Sequence, residues 1–504
     1  MLDRFAPSGQ ERLNTNKLLA CRFALLLLAM TPACTKVDPR IAQVESGLLP
    51  YAAERLGVPA SITDRMREYG VPGLSIAVID QGRVAWAKGY GVADTSTGKP
   101  VTPTTIFQAA SISKPISALG ALLLVQDGVL KLDENVNEQL TSWKVPDSEL
   151  TQGHPVTPRQ LMSHTAGLDG CSEGMEGEAH TSESPDSLLP VLKGICVVSR
   201  PGQSLDYGGT GYVVLQQLIS DAARKPFEVY MQESVLDPLG MHHSRFVTAL
   251  PSDLSGQVAM GHRDRGNPIP TGLDYDPVMA VGGLLTTPTD IAKYIVNVQK
   301  AYNGSTRVLL KSPLVREMLR PAKAGRGLGP HLSGSGSAMR FGHDGGQGGF
   351  EATFTAYLHD GRGAVVMANS QYSFMLVLEV LDSIRRAYGW PEFGETPQRP
   401  PAAGMGQQLV VPVSTKNLVH DPVRFRVSAD VTFQVHARGN ELYLDGPGFG
   451  TAEIFETPDG RLFCPQLTFS DLGSPWLRFV FDQSGHLVKI LADDDGSVAL
   501  LRVD

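Results

Sequence analysis

The stretch FQAASISKPISALGALLLVQDG, residues 107–128, constrains the chain more than any other. An apolar run of this length, closed by Gly128, fits a helix buried on all sides, so other elements must be packed around it. Ser111 and Lys114 stand at its head, and Pro115 is tolerated there because it falls in the first turn. Residues three apart on a helix share a face, which puts hydroxyl and amine within hydrogen-bonding reach. Burial disfavours a charged amine, and a neutral lysine can take the serine proton and make Ser111 a nucleophile. The bland alternative is a serine cap beside a solvated lysine. A second pair with the same spacing, Ser96 and Lys99, lies in the turn-like DTSTGKP, where a lysine stays hydrated.

With 504 residues, 42% apolar and 19% charged, the chain is globular and long enough for one large core or two unequal ones. A net charge of −8 without a long basic run argues against nucleic acid as a partner, since phosphate binding needs clustered Lys and Arg. Small neutral or zwitterionic ligands fit better. Neither Cys-x-x-Cys nor His-Glu-x-x-His occurs, so no metal site and no cofactor is expected. His242 and His243 in GMHHSRF read as turn residues.

Near the N-terminus Lys17 and Arg22 precede the apolar run Phe23 to Met30, which leads into TPAC and Cys34. Basic, then apolar, then small is the order of a secretory signal, and the run is too short to span a bilayer. Residues 1–33 are therefore expected to be a signal peptide, with the mature protein exported. Ala33 directly before Cys34 resembles a bacterial lipoprotein signal, with Thr31 where such signals usually carry Leu. A periplasmic protein and an outer-membrane lipoprotein anchored through a lipid on Cys34 both stay open. In an oxidising compartment Cys171 and Cys196 would close one loop-rich segment by a disulfide, and Cys464 in FCPQLTF reads as a buried strand residue.

Two strands about an Asp80–Gly82 turn are expected in GLSIAVIDQGRVAWAKGYG, residues 73–91. FEATFTAYL and GAVVMANS predict a second hairpin, and MLVLEVLDSIRRAYG a helix after it. In TTPTDIAKYI, Thr287 is the expected cap, Pro288 the first helical residue, and Asp290 the side chain reaching back. Early and late strands with helices between them give an α+β layout, an antiparallel sheet with helices packed on it, over residues 45–390. Pro- and Gly-rich residues 391–404 read as a linker, and residues 405–504, alternating at period two with turns at Gly439–Asn440 and Ser484–Gly485, as a small C-terminal all-β domain.

Several ordered motifs add to Ser111 and Lys114. PGQSLDYGGTGYVVLQQLI supplies Tyr207, FGHDGGQGGF supplies His343, Asp344 and Gly345, and LMSHTAGL, LDPLGM and VGGLLTTPTDIAKYI flank them. Together they resemble the serine β-lactamase and penicillin-binding-protein family, in particular its class C branch with the related esterases and D-aminopeptidases, over about Leu56 to Tyr388. The resemblance implies that family's β-lactamase/transpeptidase-like fold and a serine acyl transfer. Ser111 would be the nucleophile, Lys114 the base, and Tyr207 the phenol that relays the proton to the leaving group and later activates water. The oxyanion would be held by the amides of Ser111 and Gly346, with His343 facing substrate or sharing the proton network, and Gly345 letting substrate backbone approach.

Two departures bear on the substrate. Gly209 stands where the family has Asn and offers no amide, and His343 replaces a lysine of permanent charge. Both weaken the case for β-lactam hydrolysis and leave acyl transfer intact. The expected function is hydrolysis of a small ester, amide or peptide, of esterase or D-amino-acid peptidase type. A class C-like β-lactamase or penicillin-binding protein, and a non-catalytic binding protein of the same fold, are the alternatives. GCSEG, residues 170–174, would make Ser172 the nucleophile of an α/β-hydrolase, but no strand precedes it and no helix follows.

Overall fold

A computed structural model describes residues 38–49, 59–170, 188–262, 268–269, 273, 277–322, 325–371 and 373–391, together with eight strands between residues 423 and 503. Strand β1 (Gly73–Asp80) is buried from Gly73 to Ile79, as a run without polar alternation requires when both faces are covered. Gln81 (φ 52°) and Gly82 (φ 69°) turn the chain into β2 (Arg83–Asp94), both in the left-handed conformation that a two-residue hairpin link demands. A short β3 (Lys99–Pro100) follows. The rest of the sheet comes from the far end of this region: β4 (His331–Ser333), β5 (Arg340–Gln347), β6 (Phe350–Tyr357) and β7 (Gly363–Ala368).

The seven strands run in the order β3-β2-β1-β7-β6-β5-β4. β1 pairs antiparallel with β7 from Leu74 opposite Ala368 to Ile79 opposite Gly363, so the first and last strands meet at the centre of the sheet. β4 covers only Arg340 to Gly342 of β5. Among the described residues, His343 to Gln347 therefore form an open sheet edge.

Helices α1 (Ile62–Tyr69), α2 (Ser113–Gln126), α3 (Thr210–Ala223), α4 (Pro288–Tyr302) and α5 (Phe374–Ala387) complete the frame. α4 packs on β1 and β7, α5 packs on β6, β7 and α1, and α2 packs on α3. α2 is the central helix, with twelve of its fourteen residues buried. It starts later than expected. Ala110 takes φ 46°, which no α-helix admits, so Ala110–Ile112 forms a 3-10 turn and the α-helix begins at Ser113. The helix ends at Gln126, and Gly128 (φ 73°) makes the exit. Thr287 caps α4 by accepting from the Asp290 amide at 3.1 Å. Contrary to expectation, the Asp290 carboxylate turns away from the cap. It is fully buried and accepts from the His243 amide at 2.8 Å and Ser244 Oγ at 2.9 Å, donors that compensate its desolvation.

Toward the C-terminus, Val423–Arg426, Thr432–Arg438, Glu441–Gly446, Gly450–Glu456, Leu462–Phe463, Trp476–Phe481, Leu487–Leu491 and Ala499–Val503 pair each with the next. The first also pairs with the last, Arg424 opposite Val503, so the sheet closes into an eight-stranded antiparallel barrel without edges. Residues 392–422, the turns at Gly439–Asn440 and Ser484–Gly485, Cys464 and the signal segment 1–33 lie outside the described residues.

One ion pair ties α1 to α5 inside the core. Arg65 donates from Nε to Glu379 Oε2 at 2.8 Å and from Nη2 to Oε1 at 2.5 Å, and the Tyr69 hydroxyl donates to Oε1 at 2.8 Å. The Arg65 and Glu379 side chains are 5% and 1% exposed, and Arg65 has a second partner in the exposed Glu68, so removing Glu379 leaves the inner face of a buried guanidinium without its carboxylate. Glu379→Ala is expected to destabilise the protein by about 3–5 kcal/mol in urea unfolding, and a loss below about 1 kcal/mol would contradict this role for the pair.

Candidate active site

The left-handed Ala110 lifts Ser111 out of the helix at its threshold, a conformation unusual outside glycine. From the first turn of α2, Lys114 Nζ reaches back to Ser111 Oγ at 2.8 Å and donates to the Val281 carbonyl at 3.3 Å. Only 2% of Lys114 is exposed. Burial, and after it the charge of Arg326, lowers the amine from its ordinary value to about 7. Once neutral, the nitrogen keeps its hydrogen bond to Val281 and offers its lone pair to the Ser111 proton. Ser96 and Lys99 differ in every respect: both are exposed, Ser96 donates to Asp94 at 2.6 Å, and Lys99 donates to the Gly256 carbonyl. Contrary to expectation a short strand, Leu168–Gly170, leads directly into GCSEG, while Ser172 itself lies outside the described residues.

Tyr207 stands on the segment leading into α3, and the Lys114 amine lies 5.2 Å from its ring centre. Its residue surface is 42% exposed, yet burial around its hydroxyl raises the phenol above its ordinary value, while a hydrogen bond with Ser111 and the charge of Arg326 act in the opposite sense. His164 holds this segment from both sides. Its carbonyl accepts from the Asp206 amide at 2.8 Å, its Nδ1 accepts from the Gly208 amide at 3.4 Å, and its ring lies 4.5 Å from that of Tyr207. His164 is itself left-handed at φ 57°. Gly209 is the N-cap of α3, where Val281 presses close: a Cβ there would lie 3.2 Å from Val281 Cγ1. The missing side chain of the second motif thus has a structural counterpart.

On the open edge of β5, His343 is neither at the surface nor facing solvent. It is 2% exposed, its Nδ1 donates to the Asp344 carbonyl at 2.6 Å, and its Nε2 is buried without a partner among the described residues. Burial holds it well below the usual histidine range, so the ring is neutral. Gly345 has a steric constraint of its own. A Cβ there would fall 2.3 Å from the Ala109 carbonyl oxygen and 3.2 Å from the Ser111 nitrogen, so glycine lets the strand close on the Ser111 turn itself. Gly346, by contrast, is exposed, and a Cβ on it would meet the Glu351 carboxylate at 3.1–3.2 Å. Ser111 and Gly346 line one cavity of about 220 Å³ with Val281, Gly282, Gly283 and Gln347.

Other residues of the site were not legible. Arg326 lies with its guanidinium carbon 4.5 Å from the Tyr207 ring centre and donates to His331 Nε2. His331 stacks edge-on against His343 at 4.6 Å, and burial drives it down to about 3. Nothing in GRGLGPHLSG advertises either residue, because the partners come from different segments. His164 sits in the flanking LMSHTAGL, the one sequence signal that could have found it. Cys196 is disulfide-bonded, and Asp169 is its opposite number on a short strand pair. Cys171 and Cys34 lie outside the described residues, as do Cys21 and Cys464. His242 and His243 are exposed in a turn. Among the described residues no group of three or more His, Cys, Asp or Glu side chains is placed to hold a metal ion.

Comparison with known proteins agrees with this geometry. The chain is 26% identical over 197 residues to Protein flp of Staphylococcus aureus (strain N315), covering 39% of each chain. It is 25% identical over 260 residues to the Unguisins hydrolase ungD of Aspergillus violaceofuscus, covering 46% of this chain and 43% of that one. The matches thus span about two fifths of the length of these curated relatives. The octameric penicillin-binding protein homologue from Pyrococcus abyssi superposes with a TM-score of 0.59 at 23% identity, covering 88% of this chain and 97% of that one, a likeness of fold. The Beta-lactamase family model matches residues 58–388. With an antiparallel sheet, helices packed on it, and Ser111 and Lys114 joined at the head of its central helix, the chain belongs to the Beta-lactamase family.

Proposed function

We propose that the protein hydrolyses a small ester or amide through an acyl-enzyme on Ser111, as an esterase or a D-amino-acid peptidase. The observation that carries this is the 2.8 Å contact between Lys114 Nζ and Ser111 Oγ, with the amine buried and lowered to about 7. Lys114 takes the Ser111 proton as Oγ bonds to the acyl carbon, and the carbonyl oxygen turns its charge toward the amides of Ser111 and Gly346. Tyr207 passes the proton to the departing oxygen or nitrogen and then takes one from the water that releases the acyl group. Gly209 and the neutral His343 leave this step intact while giving a β-lactam less to hold, which favours an esterase or peptidase over a β-lactamase. The disulfide at Cys196 supports export to an oxidising compartment, with a lipid on Cys34 as the proposed anchor.

Ser111→Ala is expected to abolish both fluorophosphonate labelling and p-nitrophenyl ester hydrolysis, while Ser96→Ala changes neither. Tyr207→Phe should lower turnover by about 10²–10⁴. Undiminished labelling of the Ser111→Ala protein would overturn the assignment and leave a binding protein of this fold. Gly345→Ala tests the seating of β5 on the nucleophile turn. Circular dichroism should stay at the parent signal while labelling slows by about tenfold or more, because a shift of the oxyanion donors of this size is costly. Parent-rate labelling would show that the strand is not held by that contact.

A further inference from the structure

The site contains three imidazoles and two cationic side chains, and only one of the five groups carries a permanent charge. His343 donates from Nδ1 to a carbonyl and is buried. His331 accepts at Nε2 from Arg326, which a protonated ring could not do, since a guanidinium only donates. His164 accepts at Nδ1 from the Gly208 amide. All three rings are therefore neutral, and Lys114 is the proposed neutral base. Arg326 is left as the fixed charge.

Its position is firmly set. The Ala322 amide donates to the Arg326 carbonyl at 2.7 Å, the Gly327 amide to the Pro330 carbonyl at 2.9 Å, and the Leu328 amide to Met318 at 2.8 Å. A Cβ on Gly327 would fall 2.4 Å from the Met318 carbonyl oxygen, so the segment lies flush on its neighbour. The guanidinium sits over the Tyr207 ring, half-buried, and among the described residues no carboxylate pairs with it. The buried Asp344 carboxylate acts on its charge from a distance, and a partly desolvated cation without a direct anionic partner costs stability. Within the catalytic pocket, however, a charge over the proton-relaying phenol acts on both proton carriers at once.

We propose that Arg326 is a positioning residue for proton transfer: its fixed charge over Tyr207 keeps the Lys114 amine neutral for Ser111 and steadies the Tyr207 oxygen when it gives up its proton. This rests on the Ser111 acyl-hydrolase reading. The groups around Lys114 are Ser111, Tyr207, Tyr212, His164, His331, His343 and Arg326. Of these, Arg326 is the one whose charge pushes the amine down, second only to burial, and it also pulls the Tyr207 phenol down against burial and against Asp344. A base of this kind works deprotonated, so acylation rises with pH through the value of Lys114, about 7, and levels off above it.

The test uses the full chain and a neutral fluorophosphonate. In its reaction a Ser111 Oγ–P bond forms, the P–F bond breaks, fluoride leaves and the proton goes to Lys114. Labelling rates are followed from acid to alkaline pH in the parent and in Arg326→Gln, Arg326→Met and Arg326→Lys, with circular dichroism to establish folding. In the Gln and Met proteins the acid limb is expected to move up by about one pH unit, the size of a near like-charge effect, and the plateau to fall about tenfold. Arg326→Lys should restore the limb toward the parent position. An acid limb that stays in place in folded Gln and Met proteins overturns the proposal. So does a defect confined to the KM of a carboxylate-bearing p-nitrophenyl ester with the neutral ester unaffected, which would make Arg326 a substrate contact. If parent labelling does not require Ser111, the underlying hydrolase reading fails first and takes this inference with it.

Discussion

A lysine amine buried at the threshold of the central helix is the constraint on which the rest of the structure turns. Keeping Lys114 in water would leave it charged, and a charged amine has no lone pair for the Ser111 proton. The packing around α2 removes the amine from water. The helix is buried on nearly every side, the Val281 carbonyl takes one amine hydrogen, and Tyr207 and Tyr212 lay their rings 5.2 and 6.0 Å from the nitrogen. Hydrophobic burial of the helix and desolvation of the Lys114 amine are the same event here, because α2 cannot sink its apolar face without carrying Lys114 inward.

The sheet supplies the other half of the site. By joining the first and last strands at its centre, it brings β5 to an edge that β4 leaves open beyond Gly342. That edge meets the Ser111 turn at Gly345, where only a hydrogen fits against Ala109. The turn, in turn, is bent by the left-handed Ala110, and the Tyr207 segment is held by the carbonyl and ring of the left-handed His164. Two backbone conformations of appreciable cost thus support the candidate site, one beside Ser111 and one against the Tyr207 segment.

Local features were legible in the sequence, and features assembled from distant segments were not. Both hairpins, the α5 helix and the Thr287 cap depend on spacing within one segment, and Ser111 and Lys114 share one turn. The start of α2 was misplaced because a left-handed alanine leaves no mark on the sequence. Asp290 followed the pattern of a capping residue, yet its carboxylate was drawn to donors from the His243–Ser244 turn that no local pattern names. Tyr207, His343 and Gly346 came only through resemblance to known motifs. Arg326 and His331 belong to a glycine-rich stretch without periodicity, and their meaning arises only where that stretch crosses Tyr207 and His343.

Because the whole account depends on a neutral Lys114, its own titration is the most direct measurement. Isotope labelling of lysine side chains would follow the Lys114 ε-group by NMR across the pH range, with the Lys114→Arg protein assigning the resonance. A midpoint near 7 is predicted. A midpoint above about 9.5, close to that of a solvated lysine, would contradict it and leave Ser111 without its base.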